Sequence, residues 1–300
     1  MQSTSRKRCF RVLALGAAVL FPAAVIAHPG SGIAVDRLGQ IYFVDMVSGI
    51  WKVDAYGALT HIPGPGFHWM TLDMGDRFSG ARLPSDSGGE VARLGTDPTV
   101  ILASSYPIAM GRDGNLYFPS HGVPDPIQML KMLPSGQRSI VANLPATTSG
   151  RPIRDLNDLA AGPDGSLYYT ESDAIRRISK DGKVSTVAEK ISPATCGSVP
   201  GMGPSDRPLL RGLDVDAAGT VYVAATGCGS VIRVTPEGRV SVFFQTESPW
   251  SPTGIALFGK DVFVLEFLGT ASDNRKEMVP RIRKIAHDGA TKIIATVTRR

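Results

Sequence analysis

Asp158-Leu-Ala-Ala-Gly-Pro-Asp-Gly-Ser-Leu-Tyr-Tyr-Thr-Glu171 decides the fold of this chain. A short apolar stretch runs into a Gly-containing turn, and an aromatic-rich stretch follows, which is the pattern of two strands joined tightly. A second tight turn, Asp181-Gly182, comes after Arg177-Ile-Ser-Lys and predicts two further strands. The pattern recurs along the chain. Gly32-Ile-Ala-Val-Asp36 is answered by Ile41-Tyr-Phe-Val-Asp45, and Gly212-Leu-Asp-Val-Asp216 by Val221-Tyr-Val-Ala-Ala225. Residues 107–111 with 116–120, and 254–258 with 262–266, supply two more copies. A degenerate copy starts at Trp69-Met-Thr-Leu-Asp73 and continues through Arg77-Phe78, Glu90-Val-Ala-Arg-Leu94 and Thr99-Val-Ile-Leu102.

Six units of about 45 residues, each with four short strands and no helical periodicity, predict an all-β six-bladed β-propeller with four antiparallel strands per blade. Such a ring is a single domain over residues 28–300. Leu38-Gly39, Asp113-Gly114, Asp164-Gly165 and Ala218-Gly219 predict two-residue turns between first and second strands. Tyr56-Gly57, Ser135-Gly136, Asp181-Gly182, Glu237-Gly238 and Asp288-Gly289 do the same between third and fourth strands. Up-and-down order puts all of these turns on one face. The long connections, 120–127, 145–156, 192–210 and 268–280, belong to the other, where binding is expected. Only residues 29–31 precede the first inner strand, so each blade is contiguous and closure rests on packing between the first and last.

Residues 1–27 read as a signal peptide, with Arg6, Lys7, Arg8 and Arg11 ahead of an apolar run too short to span a membrane, and with Val25 and Ala27 before the cut. The runner-up is an uncleaved anchor. Export predicts a periplasmic or secreted protein starting at His28, with no membrane span after cleavage. Losing those four basic residues takes the formal charge of +5 close to neutrality, and no basic block interleaved with aromatics remains, so nucleic acid is excluded as a partner. A monomer is expected. Cys9 leaves with the leader, and Cys196 and Cys228 in an oxidising compartment predict one disulfide that pins the 192–210 loop.

Gly162-Pro-Asp-Gly-Ser-Leu-Tyr-Tyr-Thr-Glu171 and Arg177-Ile-Ser-Lys-Asp-Gly182 resemble NHL-repeat proteins and the SMP-30/gluconolactonase and virginiamycin B lyase propellers. The resemblance covers essentially all of residues 28–300, and its motifs encode strands and turns. SMP-30-type lactonases hold a divalent metal at the channel mouth with a Glu, two Asn and an Asp. Asn157-Asp158 matches their Asn-Asp motif. Arg211 stands in place of the second Asn, Thr253 or Pro252 near the Asp, and Ser31 in place of the Glu.

Residues before the inner strands (Ser31, His68, Tyr106, Asn157, Arg211, Thr253) and at the ends of the second strands (Asp45, Ser120, His121, Glu171, Ala225, Glu266) are expected to converge on the loop-rich mouth. Two readings follow. In the first, the protein is a binding scaffold for a small molecule or protein partner, with His68, Tyr106, Asn157, Arg211 and His121 contacting the ligand. In the second, it is a metal-dependent hydrolase or lyase. There Asn157, Glu171, Asp45 and Glu266 hold a divalent cation, Ca²⁺ or Mg²⁺, and one of Glu171, Asp45 or Glu266 is the catalytic base. Between the two, Arg211 paired with Glu171 or Asp45 is the purely structural outcome. Phe67, Trp69 and Trp250 are either recognition aromatics or packing under the loops.

Overall fold

The computed structural model describes residues 29–79, 92–94, 100–120, 127–145, 156–192, 194, 207–269 and 277–299. The expected signal peptide, His121, Cys196 and most of the long connections lie outside the described residues. Six antiparallel sheets surround one axis. The first unit is β1 (Ile33–Val35), β2 (Ile41–Asp45), β3 (Gly49–Val53) and β4 (Leu59–Pro63). The second is β5 (Trp69–Asp73), β6 (Ala92–Leu94) and β7 (Val100–Ser104), and the third is β8 (Ala109–Met110), β9 (Leu116–Pro119), β10 (Gln128–Met132) and β11 (Arg138–Asn143). The fourth is β12 (Leu156–Ala161), β13 (Leu167–Glu171), β14 (Ala174–Ile178) and β15 (Val184–Ala188). The fifth is β16 (Leu210–Val215), β17 (Val221–Ala225), β18 (Ser230–Val234) and β19 (Val240–Gln245). The sixth is β20 (Trp250–Phe258), β21 (Asp261–Leu268), β22 (Pro280–Ile285) and β23 (Thr291–Thr296).

This is a β-propeller, with one correction to the expected count. Among the described residues five of the sheets are four-stranded blades, and the second unit is a three-stranded sheet in the order β5-β7-β6. The reason is local. Among the described residues no glycine hairpin follows β5. Instead the Asp73 carboxylate accepts the N–H groups of Gly75 (3.2 Å) and Phe78 (2.6 Å), Phe78 is buried, and β7 pairs with β5 along all five residues.

The hairpin turns differ in detail from the expected two-residue form. In the first blade Gly57 N–H donates to Asp54 O (3.0 Å) and Asp54 N–H to Ala58 O (3.1 Å), which leaves three loop residues with Gly57 at φ +86°. A type I turn closed by a left-handed residue fits the twist of such a hairpin, and only glycine takes that φ without strain. The Asp54 carboxylate caps the turn by accepting Tyr56 and Ala58 N–H. The same hydrogen bonds recur at the other predicted Gly turns, all on one face.

The inner strands β1, β5, β8, β12, β16 and β20 each touch the next, and β20 touches β1, so the ring closes, and among the described residues the blades are contiguous with no exchanged strand. The leading glycine of the repeat serves this closeness. A Cβ on Gly254 would run into the carbonyl oxygen of Ser31, and one on Gly212 into Gly254 Cα. Apolar clusters between blades fill the rest: Phe43, Ile50 and Leu265 across the closing seam, and Ile175, Leu213 and Val223 between the fourth and fifth units.

Candidate functional site

The loop-side end of the channel is crossed by side chains. Trp69 Nε1 on the second unit donates to Asn157 O on the fourth (2.7 Å), passing over the third. Arg211 on the fifth donates from its guanidinium to Pro29 O beside the first (3.2 Å), passing over the sixth. Asn157 Nδ2 donates to Leu210 O (2.8 Å), and Ser31 and Gly32 N–H donate to His68 O (2.8 and 2.9 Å). His68 and Ser31, through backbone atoms, are thus brought together with Asn157 and Arg211 in a hydrogen-bonded ring. Burial lowers the pKa of Arg211 to about 10. The His68 and Trp69 rings lie 5.4 Å apart, and Tyr106 N–H is held by Ser104 Oγ.

The carboxylates expected around this mouth are committed to arginines. Asp45, fully buried, meets Arg299 at 2.5 Å and also accepts Val47 N–H and Ser48 Oγ–H. Glu171 accepts Arg176 Nε–H at 3.0 Å. Glu266, fully buried, is clamped by Arg281 (2.5 Å) and Arg283 (2.8 Å), and both arginines also bind Glu247. The arginine partners therefore come from neighbouring strands or the C-terminus, not from Arg211. No group of three or more His, Cys, Asp or Glu side chains is arranged to hold a metal among the described residues. Ser120 Oγ accepts Gln128 N–H, Thr253 is buried, and Ala225 offers no polar group. Phe67 is buried and Trp250 stacks under Arg281 at 3.8 Å, so both aromatics pack.

Below this ring a cavity of about 620 Å³ follows the axis to the face of tight turns, opposite the loop-rich face where binding is expected. Its walls are the apolar inner strands, including Ile33, Met70, Ile108 and Leu159. Two carboxylates absent from the expected site reach it. Asp158 accepts Leu213 N–H (3.0 Å), and Asp214 accepts Leu257 N–H (2.8 Å) and Val215 N–H. Burial raises Asp158 to about 8, with Asp214 adding to the rise, and raises Asp214 to about 6. At the mouth stand Arg37, Arg77 and Arg112, all exposed. Arg77 donates to Asp113 O (2.5 Å) and Arg112 to Gly162 O (3.2 Å), each fixing an arginine to a neighbouring turn. The sequence carried a signal for Asp214: aligned repeats place Ala34, Ala160 and Ala256 at its position.

No protein-family profile and no curated protein matches the chain. Solved structures do. A luciferin-regenerating enzyme superposes with a TM-score of 0.56 at 13% identity, covering 86% of this chain and 91% of that one. A streptogramin B lyase gives 0.51 at 15% identity over 92% and 86%, and regucalcin of Agrobacterium tumefaciens, a calcium-binding protein, gives 0.51 at 17% over 79% and 81%. What is shared is the propeller. At these identities the likeness establishes fold alone, because folds of this kind host many chemistries. Among the described residues no helix is long and apolar enough to cross a membrane.

Proposed function

We propose that the protein is an exported propeller that binds a small ligand in its axial channel. One observation carries the choice over a lactonase-like hydrolase or lyase: Asp45, Glu171 and Glu266, the carboxylates a metal would need, are each neutralised by arginine at 2.5–3.0 Å. A cation entering there would have to displace those pairs, and Arg211 places a further positive charge at the same end. Elemental analysis of the purified protein, with thermal unfolding in Ca²⁺, Mg²⁺ and Zn²⁺, tests this. The expected result is no stoichiometric ion and no stabilisation. An equivalent of metal that is lost in Asn157→Ala would overturn the reading and restore the hydrolase or lyase.

Export is supported by the basic and apolar leader at residues 1–27, and predicts an N-terminus at His28 in material recovered outside the cytoplasm. A Cys196–Cys228 disulfide belongs to the same proposal.

A further inference from the structure

The two ends of the channel differ. The loop end is spanned by Trp69 and Arg211, whereas the turn end opens into the cavity. The open rim is also where exposed apolar side chains gather: Leu38 is 68% exposed, Met74 45% and Phe258 40%. Leu38 follows Arg37 and Phe258 follows Leu257, both cavity-lining, and the Phe258 ring lies against the Leu38-Gly39 turn. Three arginines and three large apolar groups therefore frame one opening. Asp36, Asp73 and Asp113 on the same rim keep their charge but turn oxygens to the N–H groups of their own turns, so the guanidinium groups are the donors an incoming acid meets. Going inward the wall mixes apolar side chains such as Ile33, Met70 and Ile108 with polar strand groups, and it includes Asp158 and Asp214.

From these features we infer that the turn-side mouth binds a small organic acid with an apolar body and a hydrogen-bond donor at its far end. Its anionic group sits on Arg37, Arg77 and Arg112, its body lies along Leu38, Met74 and Phe258 into the channel, and its donor meets Asp214. Guanidinium groups suit a carboxylate or phosphate because they present paired N–H donors. The Asp214 carboxylate repels an anion, so the charged end stays outermost. Three residues of extended strand separate the level of Asp214 from the rim, about 10 Å, and a phenylpropanoid acid has about this length. The assignment rests on the binding-scaffold reading and fixes its end of the channel and its ligand class.

Calorimetric titration of the full protein with 3-(4-hydroxyphenyl)propionate, beside its methyl ester, tests it. The acid is expected to bind saturably, and the ester about tenfold more weakly for loss of one charge-assisted contact. Arg37→Ala and Arg77→Ala are each expected to weaken the acid by about tenfold. Arg37 is exposed in its turn, so its removal leaves folding intact, and Arg37→Glu should abolish binding. Ala34→Leu, which narrows the channel, should do the same. Absence of saturable binding, or binding equal for acid and ester, overturns the inference. Binding that survives the rim variants and is lost in Arg211→Ala also overturns it, by moving the ligand to the loop end, and leaves the binding-scaffold reading standing.

Discussion

Asp158 on β12 accepts the backbone N–H of Leu213 on β16 at 3.0 Å, joining two blades through a buried carboxyl. Asp214 repeats the contact one blade further, to Leu257. Burial raises both acids from 3.8, to about 8 and about 6; Arg112 lowers Asp214 while Asp216 raises it. An acid raised on folding binds its proton more tightly in the folded chain. Its stabilising effect is complete below the unfolded value and is lost as pH rises through the folded one. The thermal midpoint should therefore fall as pH is taken from about 5 to about 8, by a few degrees per kcal/mol lost. Asp158→Asn keeps an oxygen for Leu213 and should flatten the fall above about pH 6. A midpoint that is flat in the wild type, or a slope unchanged by the variant, would contradict this.

Glu266 is the acceptor on which two buried arginines depend. Glu266→Ala leaves Arg281 and Arg283 sharing only the half-exposed Glu247, and should cost about 3–5 kcal/mol. Removing all three charges with a Glu266→Leu, Arg281→Met, Arg283→Met triple variant should recover most of that loss. Urea unfolding of the two variants decides it, since equal losses would mean that the cluster acts through packing instead.

Much of this was legible in the repeats. Period, strand order and the positions of the Gly turns follow from local chemistry, and each copy reinforced the reading of the others. The second unit departs because its turn is built by the Asp73 side chain, which a search for glycine hairpins does not see. Site reasoning placed His68, Asn157 and Arg211 at one mouth because strand direction fixes which end a residue occupies. It did not find the arginine partners of Asp45, Glu171 and Glu266. Those lie 5 to 254 residues away, and pairing at such distance depends on register and ring closure. The turn-side cavity leaves no mark in loop lengths, which point to the other face, because its opening is made by side chains on the strands and turns themselves.

The Asp45–Arg299 pair ties the C-terminus to the first blade, and Val297, also buried, donates its N–H to Pro280 O. Arg299→Ala should lower stability by about 2 kcal/mol, the cost of leaving a buried acceptor without its charged donor. Asp45→Asn, which keeps the hydrogen bonds from Val47 and Ser48, should cost less. If Asp45 instead served a cation, Ca²⁺ would stabilise Arg299→Ala more than the wild type. The expected midpoint shift with Ca²⁺ is nil in both.

Cys228 is buried at the end of a short 3₁₀ turn, Thr226–Cys228, between β17 and β18. If it is bridged to Cys196 as proposed, the exported protein denatured without reductant exposes no thiol. Reduction should then lower stability by about 3–4 kcal/mol, the value for a closed loop of this length. Two titratable thiols would refute the pairing.

Gly254 and Gly57 separate two demands that look alike in the sequence. Gly57 sits at φ +86° with open space where a Cβ would stand, so Gly57→Ala meets only the strain of a left-handed backbone, about 1–2 kcal/mol. Gly254 has no such φ, and its constraint is the Ser31 carbonyl of the adjoining inner strand. Alanine there has to push β20 from β1 at the seam where the ring closes, and backbone gives less readily than a side chain. Gly254→Ala should thus cost about 3 kcal/mol, the upper range for overpacking. The loss should also appear as faster amide exchange at Ser31 and Gly32, whose N–H groups bind His68 O across that region. Exchange that quickens equally in Gly57→Ala would mean that the seam is no more sensitive than the turns.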